Sequence, residues 1–208
     1  MRKKLIIIVF VGLFVIHASG QNPPLDKNWE VVFVDSFSTF NTGRWYKGYG
    51  VHNAGLENNE GVEFCTYENA YIENGKLVLR TQEENHLCTH PGNCRYANNT
   101  HKYTSGSIAS CTTYKYGYYE VYAKLPTGSG YSPIFWMWNQ YNAPINCWYN
   151  EINVYEIRGN VSYEYDYGVH ANFTCPEPEN ELAITNIVAC NYADAYHWYG
   201  IEIKSLGI

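Results

Sequence analysis

Short stretches rich in Val, Ile, Tyr and Phe, separated by clusters of Gly, Asn and Pro, run from residue 29 to the end of this chain, and no stretch of useful length carries a helical period. Trp29–Val34, Ala70–Ile72, Lys76–Thr81 and Gly117–Leu125 show period-two alternation or enrichment in β-branched and aromatic residues, which is the pattern of half-buried strands. Asn74-Gly75 separates two of them, and a tight primed turn needs the positive φ that this pair supplies. Many short strands with turns between them can bury their apolar faces only by stacking sheet on sheet, so the chain is expected to be all-β, an antiparallel sandwich. The longest polar stretch, Asn85–Lys102, is expected to be an inserted surface loop. Tyr is abundant, with 21 copies. Its apolar face and polar tip suit strands that are half covered, and also suit stacking on sugar rings.

Residues 1–20 stand apart from this pattern. Arg2, Lys3 and Lys4 precede an unbroken apolar run, Leu5–Ile16, and Ala18-Ser19-Gly20 places small residues where a signal peptidase would cut. The run is about twelve residues, against the ~20 needed to span a bilayer. The expectation is an exported, extracellular or periplasmic protein with a cleaved leader at 1–20 and one domain at 21–208, with no membrane span after cleavage. Removing the three leader cations takes the charge from 14 − 20 = −6 to 11 − 20 = −9. An acidic chain of this kind is unsuited to nucleic acid, whose phosphates are neutralised by Lys and Arg. Seven cysteines in an exported chain point to disulfides with at least one thiol left over. Cys88 and Cys94 bracket a turn-rich segment that a disulfide could staple, and His86, Cys88, His90 and Cys94 could alternatively be metal ligands. Asn98, Asn160 and Asn172 each begin an N-glycosylation sequon.

The chemistry lies in Glu151-Ile152-Asn153-Val154-Tyr155-Glu156. On a regular strand Glu151 and Asn153 share a face, while Glu156, five residues on, points the other way. One bulged residue between Asn153 and Glu156 returns Glu156 to the face of Glu151. Two carboxyls on one wall of a cleft, about 5 Å apart, are the equipment of a retaining glycosidase.

Several segments in order resemble glycoside hydrolase family 16, the laminarinase, lichenase and agarase group. Asn58-Asn59-Glu60 followed by Phe64-Cys65-Thr66-Tyr67, then Tyr103-Thr104-Ser105-Gly106, then Tyr116-Gly117-Tyr118-Tyr119-Glu120-Val121 with Lys124-Leu125-Pro126, each look like a family strand. Pro133-Ile134-Phe135-Trp136-Met137 is similar to the family's Pro-Ala-Phe-Trp-Met, and Glu151–Glu156 falls on its Glu-x-Asp-x-x-Glu signature.

The resemblance implies a concanavalin-like jelly roll, acting as a monomer without a cofactor, that cleaves β-1,3/β-1,4 glucan or galactan endo-wise with retention. By position Glu151 is the nucleophile and Glu156 the acid/base. Asn59, Trp136, Tyr149 and His170 fall on cleft positions that bind the polysaccharide. Structural calcium occurs on the convex face in this family, and the sequence places no ligands for it.

Two departures temper the expected activity. Asn153 stands where the family has Asp, keeping its shape without its charge, so weakened catalysis with a more acidic optimum is expected. The family pattern continues beyond His197-Trp198-Tyr199 through further strands, so the jelly roll is expected to lack its last ones. A glycan-binding domain without turnover, or a degenerate fragment, are the alternative readings.

Overall fold

The computed structural model describes residues 3–8, 23–48, 63–88, 99–138, 151–161, 163–171, 180–187 and 191–204. Every regular element among them is a strand. In chain order they are β1 (Lys3–Ile8), β2 (Trp29–Val34), β3 (Trp45–Lys47), β4 (Glu63–Cys65) and β5 (Ala70–Glu73). Next come β6 (Lys76–Leu79), β7 (Gln82–Cys88), β8 (Asn99–Ser105), β9 (Ile108–Ser110) and β10 (Gly117–Ala123). The remainder are β11 (Ile134–Trp138), β12 (Glu151–Glu156), β13 (Glu164–Ala171), β14 (Asn180–Ile187) and β15 (His197–Ile203). They fall into two compact units, one holding β1, most of β2 and β10 to β15, the other holding β3 to β9.

In the second unit β5 and β6 form the expected hairpin, with Glu73 opposite Lys76 and both Asn74 and Gly75 at positive φ (51° and 69°). β3 pairs with β9, and β4, β8 and β7 make a further sheet. Asn69, fully buried, ties this unit together. Its Nδ2 donates to Thr104 Oγ1 at 2.7 Å and its Oδ1 accepts from Arg80 Nε at 3.0 Å. Gly106 passes directly over this residue, and a Cβ there would lie 2.0 Å from the Asn69 carbonyl oxygen. Phe37 packs against Trp45 at 5.4 Å, while Asp35 accepts from the Phe37 amide and from Trp45 Nε1.

The polar stretch 85–102 is not all loop. Its two ends lie in β7 and β8, paired antiparallel with His86 opposite His101, and only the middle falls outside the described residues. Glu83, Glu84 and Asn85 face solvent, whereas His101 and Thr104 are buried. A polar strand at a solvated face gives no apolar alternation to read. Cys88 is disulfide-bonded to a partner outside the described residues, so it has no thiolate to offer a metal. Cys65 and Cys111 are free thiols.

The first unit is a sandwich of two sheets. One has the order β15-β10-β1-β2 and the other β11-β12-β13-β14, with β11 to β14 antiparallel throughout. Alternate residues of each sheet meet in a core of Leu125, Tyr155, Ile157 and Tyr192, joined by Val121, Ala123, Phe135, Tyr165 and Tyr199. Ile157 is completely buried, and burying an aliphatic side chain of that size contributes about 1.5–3 kcal/mol.

On the outer face of the first sheet Tyr118 packs against Trp29 at 6.0 Å, and Lys27 pairs with Glu202. Two residues after Tyr118 on the same strand, Glu120 is 4% exposed and lies opposite Gly200. Residues 3–8 supply β1, parallel to β10 with Leu5 opposite Tyr118. A chain without residues 3–8 would leave edges of β10 and β2 unpaired.

Candidate active site

The second sheet of the sandwich carries the signature, and its registers settle which side chains share a face. On β12, Glu151 lies opposite Trp138 of β11 and His170 of β13, and Asn153 lies opposite Trp136 and Gly168. From Asn153 to Glu156 the strand advances three residues, while β13 advances two, from Gly168 to Asp166, and β11 advances two, from Trp136 to Ile134. One residue too many is therefore accommodated on β12 at this point, and Glu156 comes to lie opposite Ile134 and Asp166. The bulge that parity requires is present.

Its consequence is visible in burial. Tyr155 and Ile157 enter the core at 6% and 0% exposure, while Glu151 and Glu156 stay half-buried on the opposite face. Asn153 sits between the two glutamates at 2% exposure and donates from Nδ2 to Glu156 Oε2 at 3.1 Å. Its own Oδ1 has no hydrogen-bond partner among the described residues.

Two aromatic rings flank this strand on the β11 side. Trp136 and Trp138 are stacked, with centroids 5.6 Å apart and planes 26° from parallel. Directly opposed residues on neighbouring strands bring their Cβ atoms to about 4.5–5.5 Å, so Trp138 and Trp136 border Glu151 and Asn153. On the β13 side Asp166 borders Glu156, and Arg158, which follows the strand, reaches Asp166 Oδ2 at 3.4 Å and Glu164 Oε2 at 4.0 Å.

The register thus unites Glu151, Asn153, Glu156 and Trp136, and it places the His170 backbone opposite Glu151. Asn59, Tyr149 and the His170 side chain lie outside the described residues. Trp138, Arg158 and Asp166 belong to the same face without having been anticipated. Trp138 was available from parity alone, two residues after Trp136. Asp166 was not, because its place depends on the turn length and on the bulge. Among the described residues no three His, Cys, Asp or Glu side chains are grouped to hold a metal ion.

The family model of the glycosyl hydrolases family 16 matches residues 55–205. The chain belongs to that family. The match takes in the bulged strand and both of its neighbours. Kappa-carrageenase from Pseudoalteromonas carrageenovora is 33% identical over 170 residues, covering 75% of this chain and 41% of that protein. Endo-1,3-1,4-beta-glycanase ExsH from Rhizobium meliloti is 32% identical over 106 residues, covering 50% of this chain and 21% of the other. The chain therefore spans less than half the length of these curated relatives. The laminarinase catalytic domain from Thermotoga maritima MSB8 superposes with a TM-score of 0.60 at 22% identity, covering 80% of this chain and 66% of that one. At that identity the likeness is one of fold, and it agrees with the antiparallel sandwich expected from the strand pattern and with the jelly roll that the resemblance implies.

Proposed function

We propose that this family 16 chain hydrolyses internal β-linkages of a polysaccharide by double displacement, in an exported protein. The observation that carries the reading is the bulge on β12, which turns Glu151, Asn153 and Glu156 to one face beside two stacked tryptophans. A Glu151 carboxylate oxygen attacks the anomeric carbon. The bond from that carbon to the glycosidic oxygen breaks as Glu156 gives the oxygen its proton. Glu156, now a carboxylate, then takes a proton from water, whose oxygen displaces Glu151 from the same carbon. The configuration is inverted twice and so retained. Trp136 and Trp138 offer apolar faces on which sugar rings stack. Kinship with proteins named for carrageenan and for 1,3-1,4-β-glycan supports a β-linked galactan or glucan.

One observation favours a second reading, a glycan-binding cleft without turnover. Asn153 is an amide, and an amide cannot take up or share a proton with Glu156 as a carboxyl in that place could. Its buried, unpartnered Oδ1 is a cost that catalysis through Asn153 does not explain.

Reducing-sugar release from laminarin, lichenan, agarose and carrageenan, with Glu151→Gln as the control, separates the two readings. Proton NMR of the first product anomer reads the stereochemistry. Hydrolysis lost in Glu151→Gln, with a product of unchanged configuration, is the expected result. Binding without any release, restored to turnover by Asn153→Asp, would establish the second reading instead. Activity that survives in Glu151→Gln would refute the assigned nucleophile.

A further inference from the structure

The distribution of charge along the chain narrows the glycan. Between Lys124 and Lys204 the sequence contains one cation of the Lys or Arg type, Arg158, against seven Glu and two Asp. That span includes the whole sheet that carries the bulge and every connection within it, so the count holds for the segments outside the described residues as well. The sole guanidinium is already engaged. It lies 3.4 Å from Asp166 and 4.0 Å from Glu164, and Asp166 stands opposite Glu156 across the ladder. Three lysines of this unit outside that span are also engaged. Lys27 and Lys204 contact Glu202, and Lys124 donates to the Asp194 carbonyl oxygen.

A sulfated or carboxylated polysaccharide carries a fixed negative charge on many of its residues. Binding one in a cleft requires Arg or Lys to replace the water and counterions that such groups give up. Here an incoming sulfate would meet Glu151, Glu156, Asp166 and Glu164 with one cation that two of those carboxylates already claim. Even at a water-like dielectric a close contact between like charges costs about 1 kcal/mol, close to tenfold in affinity, and more in a half-buried cleft. Aromatic stacking by Trp136 and Trp138 is by contrast indifferent to charge, and it favours the apolar face of an unsubstituted ring.

We infer that the cleft on β11, β12 and β13 takes an uncharged β-glycan and rejects sulfated or carboxylated ones. The inference rests on the cleft being a glycan site, and it parts this chain from its carrageenase relative, since carrageenan is a sulfated galactan. Within residues 125–203, histidine is the other group that could add positive charge. The test is therefore run at a pH where imidazole is neutral.

The experiment uses pairs of polymers that differ in charge alone: a β-glucan and its sulfated derivative, and a galactan in sulfated and desulfated forms. Affinity gel electrophoresis of the full chain carrying Glu151→Gln reads binding, and reducing-sugar release by the unsubstituted chain reads turnover. For whichever backbone is recognised, the neutral polymer should bind at least about tenfold more tightly than its charged partner. Added salt should narrow that gap by screening. The double variant Glu164→Gln, Asp166→Asn, which frees Arg158, should narrow it too. A charged polymer bound or cleaved as well as its neutral partner overturns the inference and leaves the glycan site standing. Failure to bind or cleave any of the polymers overturns the glycan site itself, and this inference with it.

Discussion

Glu120 should make the stability of the fold depend on pH in a way that one substitution removes. Its side chain lies on the outer face of β10 at 4% exposure, and its Oε2 has no hydrogen-bond partner among the described residues. Burial pushes its pKa up from 4.5 to about 7, although a hydrogen bond with Tyr118 pulls the other way. Among the described side chains no cation is recorded as acting on it. Gly200 faces it from β15, and Glu202 beyond is neutralised by Lys27 and Lys204.

The unfolded chain releases this proton near 4.5, whereas the folded chain holds it until about 7. Below the lower value both forms are protonated, and the buried carboxylic acid costs little. As pH rises between the two values the unfolded state ionises first, and stability falls by up to 1.36 kcal/mol for each pH unit. Above the upper value the loss is complete and amounts to about 3 kcal/mol. In Glu120→Gln this dependence disappears. Melting curves of both proteins across mildly acidic to mildly alkaline pH should therefore converge at the acid end. At the alkaline end the variant should melt about 6–12 °C higher relative to the parent than at the acid end. A separation between the two melting curves that stays constant with pH would refute the reasoning, because it would mean that the carboxyl titrates alike in both states.

Three further changes probe the rest of the molecule. Glu156→Gln should lower kcat/KM on a recognised glycan by about 10²- to 10⁴-fold without loosening the fold, checked by reducing-sugar assay alongside thermal melting. Trp138→Ala removes one of two stacked platforms and should weaken glycan binding by about two- to tenfold, measured by affinity electrophoresis on the Glu151→Gln background. Gly106→Ala forces a Cβ into the Asn69 carbonyl and should cost about 1–3 kcal/mol in urea denaturation, with melting still cooperative.

The strands legible in the sequence are those with β-branched and aromatic enrichment or with turn chemistry between them. Trp29–Val34 is a strand although only its Phe33 is buried, and the Asn74-Gly75 hairpin appears where its turn chemistry puts it, because a primed turn must have positive φ. β7 and β8 were hidden because Glu83, Glu84 and Asn85 face water, and what fixes that pair is backbone hydrogen bonding and the buried His101 and Thr104. Glu151, Asn153 and Glu156 were legible as a set, since five-residue spacing and a shared purpose together demand a bulge. Arg158 and Asp166 were not. Their partnership depends on how many residues the turn between β12 and β13 consumes, and short-range pattern carries no record of that.

The bulge also shows how β12 accommodates Asn153 beside Glu156. Every residue of β12 after the extra one is displaced by a full position, so Tyr155 and Ile157 enter the core only because the strand miscounts against both neighbours. Burial of those two side chains therefore helps to hold the register that presents Glu156 to the cleft. A one-residue slip would expose them and bury the glutamate, exchanging a favourable transfer for an unfavourable one at each position. Asn153 sits at the start of the irregularity, almost fully buried, with its Nδ2 bridging to Glu156 across the bulge. An amide performs that bridging as well as a carboxyl would. What it cannot do is carry charge or a proton, so the geometry of the pair and its reactivity come apart at this one residue.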